Sequence, residues 1–158
     1  MRVAFCFLLA GLRSRPWDAP LPPGWERLPP ASCRQLEPFF PELNLRRDVL
    51  WRVDGLPWWA RRFAVIPPAA ITLGSLVWVA PDWLAPETPD GVELIAHELV
   101  HVTQYRRYGC LGFARRYGLA FLRNALRGDS LAAAYENIPL EVEARLRAAD
   151  IRKRLVFV

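Results

Sequence analysis

The chain has 158 residues, a formal net charge of +5 and 53% hydrophobic residues. That length suits one domain, and that much apolar material excludes a chain that stays disordered. Lys153 is the only lysine; so strong an arginine bias follows from genomic base composition, and the net charge is no argument for a nucleic-acid partner.

The N-terminal run Val3 to Leu12 is apolar and follows Arg2. It is short, Arg13 and Arg15 come directly after it, and no small-x-small cleavage site precedes Pro16. A buried strand or helix is expected rather than a signal peptide, and a cytoplasmic chain, with export the less favoured alternative. No other run approaches the roughly 20 apolar residues that span a bilayer. Cys6, Cys33 and Cys110 are odd in number and far apart, which gives neither a disulfide framework nor a thiolate zinc site.

Fourteen of the fifteen prolines lie at or before Pro89, and all seven tryptophans at or before Trp83. Proline breaks helices, so residues 1–89 are expected to be an extended, loop-rich half and residues 90–158 a helical one, within a single domain over 1–158. Pro16 to Pro30 reads as a loop. Ser32 is expected to cap a short helix ending near Phe40, before Pro41. Val49 to Val53 suits a strand. Ala70 to Ala80 holds two β-prone runs around Gly74-Ser75, a hairpin signal ended by Pro81.

Thr88-Pro89 opens a helix, with Thr88 as cap and Pro89 in the first position; Asp90 with Glu93 offers an alternative capping box. The helix should run to about Tyr108 and stop at Gly109. Further helices are expected over Leu111 to Leu126, briefly after Asp129-Ser130, and from Pro139 to about Arg154. The fold class is therefore α+β, a hairpin or small sheet packed on helices.

His97 and His101, the only histidines, are four residues apart inside that helix. They lie about 40° apart on one face, one turn from each other, so both imidazoles can reach one metal ion. Zinc accepts histidine nitrogen in tetrahedral sites. Glu98 lies beside this face, where a carboxylate can touch an attacking water without ligating. Leu99 and Val100 point away and can anchor the helix. The alternative is a pair of structural histidines satisfied by hydrogen bonds.

The run His97-Glu98-Leu99-Val100-His101-Val102-Thr103-Gln104 resembles the His-Glu-Leu-x-His-x-x-Gln helix of small bacterial zincin-like metallopeptidase domains of gluzincin type. Pro139-Leu140-Glu141-Val142-Glu143-Ala144 resembles the Glu-x-x-Ala helix that carries their third ligand. The resemblance covers about Ile71 to Ala149. It implies a zinc peptidase with His97, His101 and Glu141 as metal ligands and Glu98 as general base towards a zinc-activated water. Glu143 is the alternative ligand; it stands about 200° from Glu141 around the helix, so the two cannot face one metal. Arg145 stands where gluzincins often carry an acid that orients a histidine, so the histidines must be oriented by another group, Glu143 or a backbone carbonyl.

Tyr135 is the first candidate for a donor to the developing oxyanion, and Tyr105 the second. A peptide or protein substrate would pair along one strand of the Ile71–Val79 hairpin. The competing function is a catalytically inert zincin-like domain serving as a structural or interaction module. Between Glu98 and Asp129 there is no acid, but Arg106, Arg107, Arg115, Arg116, Arg123 and Arg127 all occur. A solvated helix face is the plain reading, with contact to a membrane surface or an acidic partner as the alternative. Nucleic acid is not expected, because Tyr105, Tyr108, Phe113, Tyr117 and Phe121 are spaced as a core-facing stripe.

Overall fold

Proline keeps the elements of the first half short. In a computed structural model, described over residues 20–53, 55–57, 68–81 and 87–155, helix α1 spans Pro30–Leu36 and continues as one 3-10 turn, Glu37–Phe39. Helix α1 starts earlier than Ser32: Pro29 is its cap and Pro30 its first residue, a place where a missing N–H costs nothing. Ser32 is instead buried inside it. A single turn, α2 (Leu45–Asp48), leads into β1 (Leu50–Arg52). The N-terminal apolar run lies outside the described residues.

Strands β2 (Ala70–Leu73) and β3 (Leu76–Val79) form the expected hairpin, with Leu73 opposite Leu76. Gly74 takes the tight turn at φ 66°, a conformation that costs a side-chain-bearing residue. β1 then pairs in parallel with β3, Trp51 beside Val77, so the sheet order is β1-β3-β2. Among the described residues β2 therefore stands at an edge of the sheet and β3 in its centre.

Helix α3 (Pro89–Leu126) carries the second half. Thr88 caps it, its hydroxyl accepting from the Gly91 N–H at 3.1 Å, and Pro89 occupies the first turn. Gly109 breaks it, with φ 68° and ψ 168°. A first arm thus ends at Tyr108 and a second runs on to Leu126, as the glycine predicts. A β-carbon at Gly109 would meet nothing within 4 Å, so backbone conformation, not space, demands glycine there. Ser130 caps α4 (Leu131–Glu136), and Pro139 opens α5 (Pro139–Arg154).

The first arm of α3 buries Val92, Ile95, Ala96, Leu99, Val100 and Val102 in the main core. Ala144 and Ala148 of α5 are buried in the same core, and their small side chains let α5 lie close along α3. This gives the alanine of the Glu-x-x-Ala pattern a mechanical role. Phe113, Ile138 and Leu140 form a second cluster, joined by Tyr105, Tyr108, Tyr117 and Phe121, so the aromatic stripe faces inward. No helix among the described residues is long and apolar enough to cross a membrane.

Candidate metal centre

Four-residue spacing on the first arm of α3 brings His97 and His101 together, their Nε2 atoms 3.1 Å apart. α5 supplies the third group from its first turn. One oxygen of Glu141 lies 3.2 Å from His97 Nε2 and the other 3.4 Å from His101 Nε2. With metal–nitrogen and metal–oxygen bonds of about 2.0–2.1 Å, adjacent ligands of a tetrahedral ion stand about 3.3–3.4 Å apart. The separations of the two imidazole nitrogens and the two carboxylate oxygens are of that size, and His97, His101 and Glu141 form a group that could hold a metal ion. Glu143 points elsewhere.

His101 is buried and oriented from behind. Its Nδ1 lies 2.8 Å from Gln104 Oε1, while Gln104 Nε2 donates to the Leu140 carbonyl and to Glu143 Oε2, each at 3.0 Å. Those two acceptors fix which end of the amide is nitrogen. The amide oxygen must then face the ring, so Nδ1 carries a proton and Nε2 is the atom directed at the Glu141 cluster. Glu143 therefore acts one step out, holding the amide that holds the histidine. The place left open by Arg145 is filled by Gln104; Arg145 itself donates to the Glu136 carbonyl.

Glu141 is held as well. The Tyr117 hydroxyl donates to Glu141 Oε1 at 2.7 Å. Burial alone would raise the Glu141 carboxyl, but hydrogen bonds from His101 and His97 and the His101 charge override it and hold the group well below the usual carboxylate range. Burial likewise opposes a charge on His101, yet the hydrogen bond to Glu141 and the charges of Glu98 and Glu141 push its pKa up to about 9. Without metal, His101 and Glu141 thus favour each other's charged forms.

Glu98 is 4% exposed and stands apart from the three donors. Thr72 of β2 donates to its Oε2 at 2.6 Å. The described residues leave Oε1 without a hydrogen-bond partner.

The two tyrosines expected near the centre differ in position. Tyr105 stacks on Phe113, ring centroids 3.9 Å apart and planes 15° apart, and serves packing. Tyr135 lies at the end of α4, its ring 6.4 Å from that of Tyr117. Burial first, then the Glu141 charge, raises its phenol. Tyr117 makes the short bond to Glu141, and Tyr135 stands beside both, close enough for hydrogen bonding to each of them to act on its phenol. Tyr117 follows Phe113 by one turn, and Phe113 stacks over Tyr105 while its edge meets His101 at 6.0 Å. The break at Gly109 folds this arm back over the histidines. Thr72 also carries no local mark: it is 26 residues from Glu98.

The expected arginine block divides. Arg106 is half-buried, bonded to the Glu42 carbonyl at 2.7 Å and paired with Asp48, and so ties α3 to α2. Arg115, Arg116, Arg123 and Arg127 are exposed.

A family model described as the eCIS core domain matches residues 28–109, more than half of the chain. The matched stretch runs from Leu28, before α1, to the Gly109 break, and holds Thr72, His97, Glu98, His101 and Gln104. Glu141 and Tyr117 lie beyond it. No curated protein and no solved structure matches the chain.

Proposed function

The chain belongs to the eCIS core domain family, and from the site built on that core we propose that it is a zinc-dependent hydrolase of peptide bonds. One observation carries the proposal: the largely buried group of His97, His101 and Glu141 donors with a separate carboxylate, Glu98, beside it. A purely structural site has no use for that separate base. Two imidazoles and one carboxylate leave a coordination position for reaction, as catalytic zinc sites do.

Zinc held by these three residues supplies Lewis acidity, polarising a substrate carbonyl and easing the deprotonation of water. Glu98 is the base. Thr72 occupies Oε2 and fixes the carboxylate plane, so Oε1 takes the proton of the attacking water and later delivers it to the leaving amine nitrogen. Tyr135, less buried than Tyr117, is the donor proposed for the developing oxyanion. Tyr117 is committed to Glu141. Because β3 is flanked on both sides, the β2 edge is the strand on which an extended substrate would pair, and Thr72 links that strand to the base.

Glu98→Gln tests the reading. It keeps the size of the side chain and an acceptor for Thr72 but removes the base. Zinc content and thermal stability should stay near wild type, and cleavage of a broad peptide library should fall at least ~100-fold. Loss of zinc in this variant would make Glu98 a ligand. A zinc-loaded wild type that cleaves nothing would instead favour an inert, zincin-like interaction module.

A further inference from the structure

We propose that the outer face of the second arm of α3 docks on an anionic lipid surface. This surface is separate from the metal centre and independent of its chemistry.

The arm buries Phe113, Tyr117 and Asn124-side positions inward and leaves its other face open. Leu111, Leu119, Leu122 and Leu126 are 83%, 54%, 52% and 79% exposed. At about 100° per residue they fall within a stripe about 80° wide, running some 22 Å along the helix. Single exposed leucines are ordinary; four aligned on one helix face, with nothing described packed on them, mark a contact surface.

The charge on this face selects the partner. Arg115 projects from the middle of the leucine stripe, and Arg116, Arg123 and Arg127 line one flank, by the same helical phase. No carboxylate pairs with any of the four among the described residues, and no acid occurs between Glu98 and Asp129. Arg116 lies over the Tyr108 ring at 4.1 Å, which holds its charge at the flank. An apolar stripe with arginine on its flank is the pattern of a helix lying in the headgroup layer, leucines towards the acyl chains and guanidinium groups on phosphate.

Two other partners fit less well. A second copy of the chain would trap Arg115 inside an apolar interface, whereas at a bilayer its long side chain reaches back to the headgroups. Single-stranded nucleic acid would call on aromatic side chains for stacking, and Phe113, Tyr117 and Phe121 face inward; a duplex would engage the arginines and leave the leucine stripe without an apolar partner.

Co-sedimentation of the full chain with vesicles of phosphatidylcholine alone, and of phosphatidylcholine with phosphatidylserine, tests this. Two paired variants separate the contributions: Leu119→Ser with Leu122→Ser, and Arg115→Gln with Arg123→Gln. Circular dichroism and zinc content monitor the fold, and all four side chains are exposed. Binding should need phosphatidylserine and weaken with salt. The arginine pair should weaken it about 30-fold, from roughly fivefold per basic residue at an anionic surface, and the leucine pair at least ~10-fold. Absence of binding to phosphatidylserine vesicles overturns the proposal, as does binding that survives either paired variant. Two results would reassign the face: a dimer abolished by the leucine pair without vesicle binding points to a second copy, and salt-sensitive binding to duplex DNA or RNA without vesicle binding points to nucleic acid.

Discussion

Replacing Gln104 with leucine removes a side chain that both orients a histidine and ties α3 to α5. Gln104 is 2% exposed and makes three hydrogen bonds, to His101 Nδ1 at 2.8 Å and to the Leu140 carbonyl and Glu143 Oε2 at 3.0 Å each. Leucine matches its volume but leaves the ring Nδ1–H without a partner; the Leu140 carbonyl, inside α5, keeps its helical bond. At about 1–3 kcal/mol for one buried donor left unsatisfied, the metal-free protein should lose about 1–3 kcal/mol. The effect on zinc is separable. Without the amide oxygen the His101 ring is free to turn and to choose the other tautomer, so zinc affinity should fall about 10–100-fold, the usual effect of losing such a partner. Competition with a chromogenic chelator gives the affinity, and urea denaturation of the metal-free chain gives the stability. Glu143→Gln keeps an acceptor for Gln104 and should change zinc affinity much less; Glu141→Gln should change it more. If Gln104→Leu destabilises the fold but leaves zinc affinity unchanged, the amide does not set the His101 tautomer. A larger affinity loss in Glu143→Gln than in Glu141→Gln would reverse the ligand assignment.

Tyr117→Phe deletes the 2.7 Å bond to Glu141 Oε1 and should weaken zinc binding roughly tenfold, whereas Tyr135→Phe should leave it near wild type and lower turnover instead; equal zinc affinities for the two variants would remove Tyr117 from the site. Gly109→Ala forces a β-carbon onto φ 68°, ψ 168° without touching the rest of the fold, so its cost of about 1–3 kcal/mol should come from the local backbone alone, read by denaturant midpoint, and an unchanged midpoint would mean that the break does not need glycine. Metal uptake should also release a proton. The His101 pKa near 9 in the metal-free chain means that the ring is charged at pH 7, and a ligand must be neutral. Calorimetric titration of zinc in buffers of different ionisation enthalpy at pH 7 should therefore report about one proton released per ion, and zinc affinity should rise with pH towards 9; no buffer dependence would contradict this.

Much of the helical half is legible in order along the chain, because its signals are local. Thr88-Pro89, Gly109, Ser130 and Pro139 each act through their own backbone dihedrals and caps, and each marks an element end in the structure. The hairpin around Gly74-Ser75 is local in the same sense. The parallel pairing of β1 with β3 is not, since nothing in Leu50–Arg52 names a partner 26 residues away. The start of α1 at Pro30 was hidden by a competing cap at Ser32, which burial claims instead.

The candidate centre divides along the same line. The histidine pair is a matter of helix period, and so is the opposition of Glu141 and Glu143. Tyr117 and Thr72 reach their carboxylates only through tertiary structure. Tyr117 arrives by the reversal at Gly109 and the stack of Phe113 on Tyr105, and Thr72 by the packing of β2 against α3. By spacing alone, Tyr117 is one more residue of a core-facing stripe. Gln104 is legible as part of a motif; its role becomes physical only when Leu140 and Glu143 fix the direction of its amide.

The most direct measurement is the metal content of the purified chain, expressed in zinc-replete medium, alongside His97→Ala, His101→Ala and Glu141→Ala. About one zinc per wild-type chain is expected for a single site with three protein ligands, with content collapsing in all three variants. A wild type without bound transition metal, or variants that keep their zinc, would contradict the assignment of His97, His101 and Glu141 as its ligands.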